Sequence, residues 1–288
     1  MYKQHLDGLK GNIIDPLGLE LAKKVQWRYL NGLSIDNSDL FPIAITGKGS
    51  PLLLLHGFDS SFLEFRRLAP LLIHQHQLII PDLFGFGFCP RNQNASYGKS
   101  SIINHLSTVL NELTTEESVG VIGASMGGAL AMELARHHPD KISKILLLSP
   151  AGLTGQTTSV PRPLDQLGVW FLKQRIVRKS LCRQAFANPK NSVSEPEEQI
   201  ASLHLNVPGW GRSLAAFARS GGVADCGSPL PQQPVQVLWG EKDRILNKMQ
   251  KNEANILLGQ NYENLKDCGH LPHLDLPHIV AEKWLKNT

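Results

Sequence analysis

The stretch VGVIGASMG, residues 119–127, places Ser125 between two glycines directly after a short apolar run. This pattern is typical of a tight turn from a strand into a helix, in which only glycine leaves room beside a strained serine. Residues 129–136 are mostly strong helix formers, and Pro139 ends that run. A glycine-rich turn without chemistry is the alternative, but the strand before and the helix after it favour a turn that exposes the Ser125 hydroxyl.

A serine on such a turn needs two partners to act as a nucleophile. Its hydroxyl reacts poorly at neutral pH unless a histidine takes the proton and a carboxylate orients that histidine. For this kind of turn the acid and then the base follow later in the chain. Asp243 lies in the loop after the apolar run 235–240, and His270 lies in a loop between a glycine and a proline. We therefore predict a catalytic triad of Ser125, Asp243 and His270.

Close neighbours compete for two of these positions. The chain has 11 histidines, and both His273 and His278 lie near His270. We prefer His270, because the glycine before it lets the backbone bend and the Leu-Pro after it stiffens the exit. His273 is the second choice. Glu241 is the alternative to Asp243, and the preference for Asp243 rests on the family resemblance given below.

Backbone N–H groups are expected to hold the negative charge that forms on a substrate oxygen. Such an oxyanion hole needs one donor from the residue after the nucleophile and a second from an earlier loop. Met126 and Phe58 are the predicted donors, since Phe58 closely follows the apolar run 51–55. His56 precedes the serine and adjoins this hole, so we interpret it as a structural loop residue.

The motifs occur in the order seen in the α/β-hydrolase superfamily, which the chain resembles from about Ile43 to Trp284. They are His56-Gly57-Phe58, the DLFGFG run 82–87, the serine turn, Gly240 to Asp243, and Gly269-His270. The resemblance is to the serine branch that carries a lid. It implies an α/β fold with a mainly parallel sheet flanked by helices and a helical cap inserted after the sixth strand.

The resemblance also limits which activities are expected of the chain. Ser125 stands where epoxide hydrolases and haloalkane dehalogenases of this fold use aspartate, which argues against both activities. Carbon–carbon bond hydrolases of the family commonly have tryptophan after the base, whereas Leu271 follows His270 here. That alternative is weakened but stays open.

Short apolar runs alternate with amphipathic segments, which predicts a mainly parallel sheet covered on both faces. The predicted strands are 41–45, 52–55, 78–80, 119–122, 145–148, 235–239 and 262–265. Between residues 149 and 234 the alternation stops and a helical pattern takes over. We predict a core domain of residues 1–150 and 231–288, with a helical cap of residues 151–230.

The predicted cap carries the positive charge of the chain. Residues 161–230 hold nine Lys/Arg and five Asp/Glu, and this excess equals the formal net charge of +4. It indicates either an attraction for an anionic substrate or membrane surface, or a solvated helix face, which we favour. Trp170, Phe171 and Trp210 of the cap and Phe84 of the core are predicted to line an apolar pocket above Ser125.

Composition bounds the remaining properties. No run of about 18 apolar residues could cross a bilayer, and the first 30 residues lack an apolar stretch of signal length. We expect a cytoplasmic protein with no stable membrane insertion and no nucleic-acid partner, since no basic run is interleaved with aromatic residues. The four cysteines show no metal-like or paired spacing. We expect neither a disulfide, nor a metal, nor a cofactor.

The expected activity is that of a serine hydrolase resembling carboxylesterases. Its substrate would be a small to medium, partly hydrophobic ester, cleaved through an acyl-enzyme intermediate. A carbon–carbon bond hydrolase with the same triad and a slow-turnover receptor for a small ligand are the alternatives. A pseudoenzyme that serves protein contacts is least favoured, because the Ser/Asp/His set is complete. The sequence does not predict the oligomeric state.

Overall fold

The computed structural model describes residues 1–33, 39–114 and 118–286. Within these residues, eight strands form a single sheet. The strands are β1 (Val25–Arg28), β2 (Phe41–Gly47), β3 (Ser50–Leu55), β4 (His76–Pro81), β5 (Val119–Ala124), β6 (Ile142–Leu148), β7 (Val235–Gly240) and β8 (Tyr262–Leu265).

The order of strands across the sheet is β1-β2-β4-β3-β5-β6-β7-β8. Strand β2 pairs antiparallel with β1 and with β4, whereas the other neighbouring strands pair in parallel. Parallel neighbours require crossover connections, which helices supply here. The carboxyl ends of the parallel strands consequently meet at one edge of the sheet. The loops after β3, β5, β7 and β8 come together there.

The helices cover the two faces of the sheet and the edge just described. They are α1 (Tyr2–Lys10), α2 (Pro16–Ala22), α3 (Ala69–Leu72), α4 (Lys99–Leu113), α5 (Met126–His137), α6 (Leu164–Lys173), α7 (Arg175–Ala185), α8 (Pro189–Ser192), α9 (Glu195–Ile200), α10 (Trp210–Arg219), α11 (Lys248–Leu258), α12 (Pro272–Asp275) and α13 (Pro277–Lys286). Short 3₁₀ turns occur at Phe62–Phe65, Leu203–Asn206 and Gly259–Asn261.

Helices α6 to α10 lie in residues 149–234, between β6 and β7, and this fully described stretch contains no strand. We call residues 149–234 the insertion. It packs over the carboxyl edge of the sheet, since the backbone carbonyl of Ala185 in α7 accepts a 2.7 Å hydrogen bond from the N–H of His270.

Apolar side chains fill both faces of the sheet. On β3, Leu53 and Leu55 belong to one buried cluster, while Leu52 and Leu54 belong to the cluster on the opposite face. All four side chains are at most 1% exposed. A strand that is buried on both faces has a continuous apolar sequence, which is why the run 51–55 does not alternate.

The predicted fold class is confirmed, and each of the seven predicted strands lies within an observed one. The sequence analysis missed β1, the antiparallel edge strand Val25–Arg28. Its sequence VQWR alternates between half-buried and exposed positions and contains only two apolar residues, too short a pattern to separate a strand from a loop. None of the described helices is long and apolar enough to span a membrane.

Candidate active site

Ser125 occupies the turn between β5 and α5, with a backbone φ of 50° and ψ of −121°. A non-glycine residue rarely adopts a positive φ, so the neighbouring backbone must hold this conformation in place. A Cβ on Gly127 would lie 2.1 Å from the carbonyl oxygen of Leu55, and one on Gly123 would lie 2.4 Å from that of Gly127. The two flanking glycines are thus required by close backbone approach, as the sequence pattern predicted.

The three predicted triad side chains form a continuous chain of hydrogen bonds. Ser125 Oγ lies 2.9 Å from His270 Nε2. His270 Nδ1 lies 2.9 Å from Asp243 Oδ2. In the neutral tautomer that fits both contacts, Nδ1–H donates to the carboxylate and Nε2 accepts from the serine hydroxyl. These are the contacts by which a histidine takes a proton from a serine.

The Asp243 carboxylate is built to stay ionised. Its Oδ1 accepts the N–H groups of Ile245 at 2.8 Å and Leu246 at 3.1 Å, and its Oδ2 accepts Trp239 Nε1–H at 3.0 Å. Burial alone would raise the pKa of Asp243, but His270 and the backbone N–H groups of Leu246 and Ile245 lower it below its ordinary value. A negative charge is therefore available to stabilise the imidazolium of His270.

The competing candidates lie elsewhere. His273 is fully buried, with Nε2 3.1 Å from Glu64 Oε1 and its ring against Phe65. His278 and Glu241 are exposed. Neither His273 nor Glu241 makes a hydrogen bond to a triad side chain among the described residues.

The loop that carries His270 is fixed by the insertion and by α12. A Cβ on Gly269 would lie 2.4 Å from the carbonyl oxygen of Ala185, so this glycine permits close approach rather than a positive φ. Asp275 Oδ2 accepts the N–H of Gly269 at 2.7 Å and that of Ala187 at 2.9 Å. Asp275 thereby joins the base loop to the insertion, a role that no motif indicated.

The predicted oxyanion donors lie on the two loops that meet at the serine. In the described residues, neither the N–H of Phe58 nor that of Met126 has a hydrogen-bond partner. The position of a Cβ on Gly57 would be 3.2 Å from Ser125 Cβ, so the loop after β3 lies directly beside the nucleophile. Both N–H groups are therefore available to a ligand at this turn.

His56 and Asp82 hold this loop against the next one. His56 Nδ1 lies 2.8 Å from the carbonyl oxygen of Gly57, and its Nε2 accepts the N–H of Leu83 at 3.0 Å. Burial lowers the pKa of His56 to about 4, so the ring is neutral. The Asp82 carboxylate accepts the N–H groups of Phe62 and Phe88, each at 2.6 Å. These contacts give His56 the structural role that the sequence analysis assigned to it.

Glu64 is a buried carboxylate that sequence reasoning missed. Its oxygens lie 3.3 and 3.4 Å from the N–H of Gly57, and both Ser125 Cβ and Glu64 Oε2 lie within 3.6 Å of the point that a Cβ on Gly57 would occupy. Burial raises its pKa, but the neighbouring His273 lowers it to about 2. Glu64 therefore tethers the loop of the predicted oxyanion hole as an anion.

A cavity of about 240 Å³ opens at the serine, between the core and the insertion. Its wall includes Ser125, His270 and Phe58. Besides Phe58, the apolar part of the wall consists of Leu172, Leu181, Ala185, Phe186, Ile200, Ala201, Ile245, Leu271 and Leu274. The ionisable part consists of Asp59, Glu64, Arg66, Arg178, Cys182 and Glu197. The cavity thus combines an apolar lining with charged groups at fixed positions.

Four predicted pocket residues do not lie on this wall, and the prediction is corrected. Phe84 stacks on Tyr97 with ring centroids 5.2 Å apart, inside the core. Trp170 and Phe171 are 64% and 54% exposed on the outer face of α6, whereas Leu172 of the same helix reaches the cavity. Trp210 is buried and donates Nε1–H to Asp59 at 2.8 Å, behind the wall.

Asp59 connects the core to the insertion. It follows Phe58, is 6% exposed and has a φ of 48°. Besides Trp210, it contacts Arg178 of α7 at 2.5 Å and His204 Nε2 at 3.1 Å. Burial raises the pKa of Asp59, but His204 and Arg178 lower it below its ordinary value. One carboxylate next to the predicted oxyanion hole therefore holds three elements of the insertion.

Comparison with known proteins agrees with this geometry. The sequence pattern of the alpha/beta hydrolase family matches residues 52–283. The chain is 28% identical to an alpha/beta hydrolase domain-containing protein, VTE7, of Arabidopsis thaliana, over 93% of this chain and 85% of that protein. It is 26% identical to a 2-hydroxymuconate semialdehyde hydrolase of Pseudomonas sp. (strain CF600), covering 70% and 73% of the two chains. It is 25% identical to Lipase 1 of Psychrobacter immobilis, covering 88% and 82%.

Proposed function

Because this chain belongs to the alpha/beta hydrolase family, we propose that it is a serine hydrolase that cleaves a carboxylic ester through an acyl-enzyme intermediate. The observation that carries the proposal is the pair of 2.9 Å contacts that join Ser125, His270 and Asp243. An activated nucleophile requires this arrangement, whereas a structural serine does not. Relatedness to a lipase adds support for an ester substrate.

Acylation begins when Ser125 Oγ attacks the ester carbonyl carbon and its proton passes to His270 Nε2. The N–H groups of Phe58 and Met126 donate to the oxyanion that forms, and the dipole of α5 adds positive potential there. When the tetrahedral intermediate breaks down, His270 returns the proton to the leaving alcohol oxygen. Asp243 stabilises the charged ring while it holds the proton.

Deacylation repeats these steps with water. His270 Nε2 takes a proton from a water molecule, whose oxygen attacks the acyl carbon. The second tetrahedral intermediate is held by the same two N–H groups. Its collapse returns the proton to Ser125 Oγ and releases the carboxylic acid, so the enzyme is restored without a metal or an organic cofactor.

The wall of the cavity supports a substrate of small to medium size that is partly hydrophobic. A volume of about 240 Å³ with leucine and isoleucine side chains suits a short or branched acyl group. In this proposal residues 151–230 act as a cap over a core of residues 1–150 and 231–288, since Leu172, Leu181 and Cys182 of the insertion close one side of the cavity.

Carbon–carbon bond hydrolysis is the second candidate. It is favoured by the relationship to a 2-hydroxymuconate semialdehyde hydrolase. It is also favoured by the charged groups Arg66 and Arg178 on the cavity wall, which a carboxylate-bearing substrate would require. Against it, Glu197 and Asp59 already pair with these two arginines.

A parallel assay separates the two reactions. The purified chain is given p-nitrophenyl esters of graded acyl length and, separately, a ring-cleavage product of a catechol. We expect measurable kcat/KM on short esters, loss of that activity in Ser125→Ala, and little turnover of the ring-cleavage product. Turnover of the ring-cleavage product alone, lost in the same variant, would assign the second reaction. Ester hydrolysis retained in full by Ser125→Ala would reject both.

A further inference from the structure

Helix α6 presents four large apolar side chains to solvent. Leu164 and Leu167 are each 56% exposed, Trp170 is 64% exposed and Phe171 is 54% exposed. At about 100° per residue these positions cover roughly a third of the helix circumference. The opposite side of the helix carries the buried Asp165 and Leu172, which reaches the cavity wall. The outward apolar face is therefore a continuous stripe on a helix whose inner face is packed.

Single exposed apolar residues are common on protein surfaces and need no explanation. A stripe of four on one helix is different, because contiguous exposed apolar area marks an interaction site. Ile176, at the start of α7 and five residues after Phe171, is a fifth large apolar side chain in this part of the insertion and is 84% exposed. We call Leu164, Leu167, Trp170, Phe171 and Ile176 the α6 patch.

Exposed positive side chains lie near the α6 patch. Arg162 precedes α6, Lys173 and Arg175 lie between Phe171 and Ile176 in the chain, and Arg212 lies on the neighbouring α10; all four side chains are exposed. Among the described residues none of the four forms an ion pair. Arg162, Arg212 and Arg219 also line one cavity with Gln166 and Val169 of α6.

Most of the negative charge near the patch is paired. Asp165, the only acidic residue of α6, is 2% exposed and pairs with Arg219. Farther along the insertion, Glu197 pairs with Arg66 and Arg67, and Glu198 pairs with Lys179. Glu195 is exposed, lines a cavity with Arg175 and forms no ion pair among the described residues. The patch itself is therefore apolar, and the exposed unpaired charges near it are four cations and one acid, a net positive charge.

From this arrangement we propose that the α6 patch docks on the surface of an anionic lipid bilayer. Leucine and phenylalanine would enter the boundary between headgroups and acyl chains, tryptophan would lie at the level of the headgroups, and the arginines and lysine would contact lipid phosphates. Charge complementarity favours lipid as the occupant, since an apolar helix face with net positive charge beside it matches a surface that is anionic outside and apolar beneath.

Docking in this orientation places the catalytic cavity close to the bilayer. Leu172 on the inner face of α6 belongs to the cavity wall, so the cavity lies one helix thickness from the lipid. Docking of this kind is reversible binding to a surface and does not depend on the reaction proposed above.

The test measures binding of the whole chain to vesicles. Vesicles of phosphatidylcholine alone are compared with vesicles that contain both phosphatidylcholine and phosphatidylglycerol, using co-sedimentation at low and at raised salt. We expect binding to the anionic vesicles, weaker binding at raised salt, and little binding to phosphatidylcholine. Equal binding to the two compositions, or to neither, overturns the proposal.

Tryptophan fluorescence localises the contact. Of the five tryptophans, all in described residues, only Trp170 is exposed. Binding should shift emission to shorter wavelength, and lipid with brominated acyl chains should quench it. Trp170→Phe should keep vesicle affinity and lose both signals. A shift that persists in Trp170→Phe would place the contact elsewhere and overturn the assignment.

A double variant tests the α6 patch, a single variant tests the positive charge near it, and each has a matched control. Trp170→Ser with Phe171→Ser should weaken vesicle binding on the order of tenfold to a hundredfold, the loss that follows from removing two large apolar side chains. Arg162→Gln should weaken it about fivefold. The matched controls are Ile256→Ser, which removes an exposed apolar side chain on α11, and Lys48→Gln, which removes an exposed charge just before β3. Both controls should bind vesicles like the parent chain.

The folding of each variant is checked by circular dichroism and thermal unfolding, which exposed residues should not change. Light scattering during size-exclusion chromatography examines a second copy of the chain as the occupant. A dimer in the parent chain that becomes a monomer in the Trp170/Phe171 variant, with no vesicle binding, would overturn the proposal in favour of self-association.

Discussion

The core wall of the catalytic cavity and the wall contributed by the insertion are held in place by different forces. On the core side, glycines at positions 123 and 127 let backbone atoms approach to distances that no Cβ would allow. On the insertion side, Asp59 pairs with Arg178 and Asp275 bridges Gly269 to Ala187. Steric exclusion fixes the backbone at Ser125, whereas charged and polar contacts between distant segments fix the insertion over the cavity.

This difference predicts how each wall responds to change. Sterically enforced backbone has few alternatives, so the nucleophile turn either forms or the local fold fails. A wall held by ion pairs is sensitive to a lost charge and to acid, and its opening leaves the sheet intact. Substitutions on the two sides should therefore separate chemistry and global stability from the placement of the insertion.

The largest effect is expected on turnover, from the core side. Ser125→Ala should lower kcat/KM on a short ester on the order of 10⁴-fold to 10⁶-fold, since it removes the nucleophile that forms the acyl-enzyme. The matched change on the insertion wall, Cys182→Ala, should cost less than about tenfold, because that thiol contributes only packing there. If both variants lose kcat/KM to a similar degree, the two walls do not differ in their contribution to catalysis.

The next effect is on stability. Gly127→Ala puts a Cβ 2.1 Å from the Leu55 carbonyl oxygen, and we expect it to lower the free energy of unfolding by about 3 kcal/mol or more. Gly168→Ala on α6 meets nothing within 4 Å and should be neutral or stabilising by up to about 1 kcal/mol, because alanine favours a helix. Urea titration measures both. Equal destabilisation would show that the core turn is no more constrained than the insertion.

Removal of the Asp59 charge should loosen the insertion and spare the sheet. Asp59→Asn leaves the guanidinium of Arg178, which is 11% exposed, without its anionic partner, a change that costs about 3 kcal/mol for a buried pair. Hydrogen exchange should accelerate in α7 and α10 while β5 and α5 stay protected. The control is Asp267→Asn in the exposed pair with Lys242, where solvent screening should leave the lost charge with little effect on stability. Uniform acceleration in the sheet as well would contradict the separation.

The smallest effect is a pH dependence that belongs to Glu64. Its pKa is lowered from 4.5 to about 2 in the folded chain, so the unfolded chain binds the proton more tightly. The stabilisation is present above pH 4.5 and is lost as the pH falls toward 2. The difference in unfolding free energy between the parent chain and Glu64→Gln, on the order of 2 kcal/mol at neutral pH, should shrink across this window. If this difference does not change with pH, the ionised Glu64 carboxylate does not stabilise the folded chain.

The features that could be predicted from the sequence are those fixed by local steric demands in the core. The strands, the serine turn and the order of Ser125, Asp243 and His270 could be predicted, because short-range steric demands leave local patterns such as paired glycines and apolar runs. Edge strand β1 escaped detection, since its half-exposed sequence lacks that pattern.

The cavity wall was predicted poorly for a physical reason. Helix periodicity identifies an apolar residue but does not say which face of a helix meets the core. Trp170 and Phe171 therefore seemed suited to a pocket, although the structure turns them outward. Asp59, Glu64 and Asp275 act through partners far away in the chain, and no spacing within one sequence reveals such pairs.

The central claim is that His270 and Asp243 activate Ser125, and covalent labelling tests it most directly. The parent chain is treated with a fluorophosphonate, and the modified peptide is identified by mass spectrometry, with His270→Ala as the folded control. We predict one label on Ser125 in the parent chain and labelling slowed on the order of a thousandfold or more in His270→Ala. A folded parent chain that takes no label, or a label at another residue, would contradict the claim.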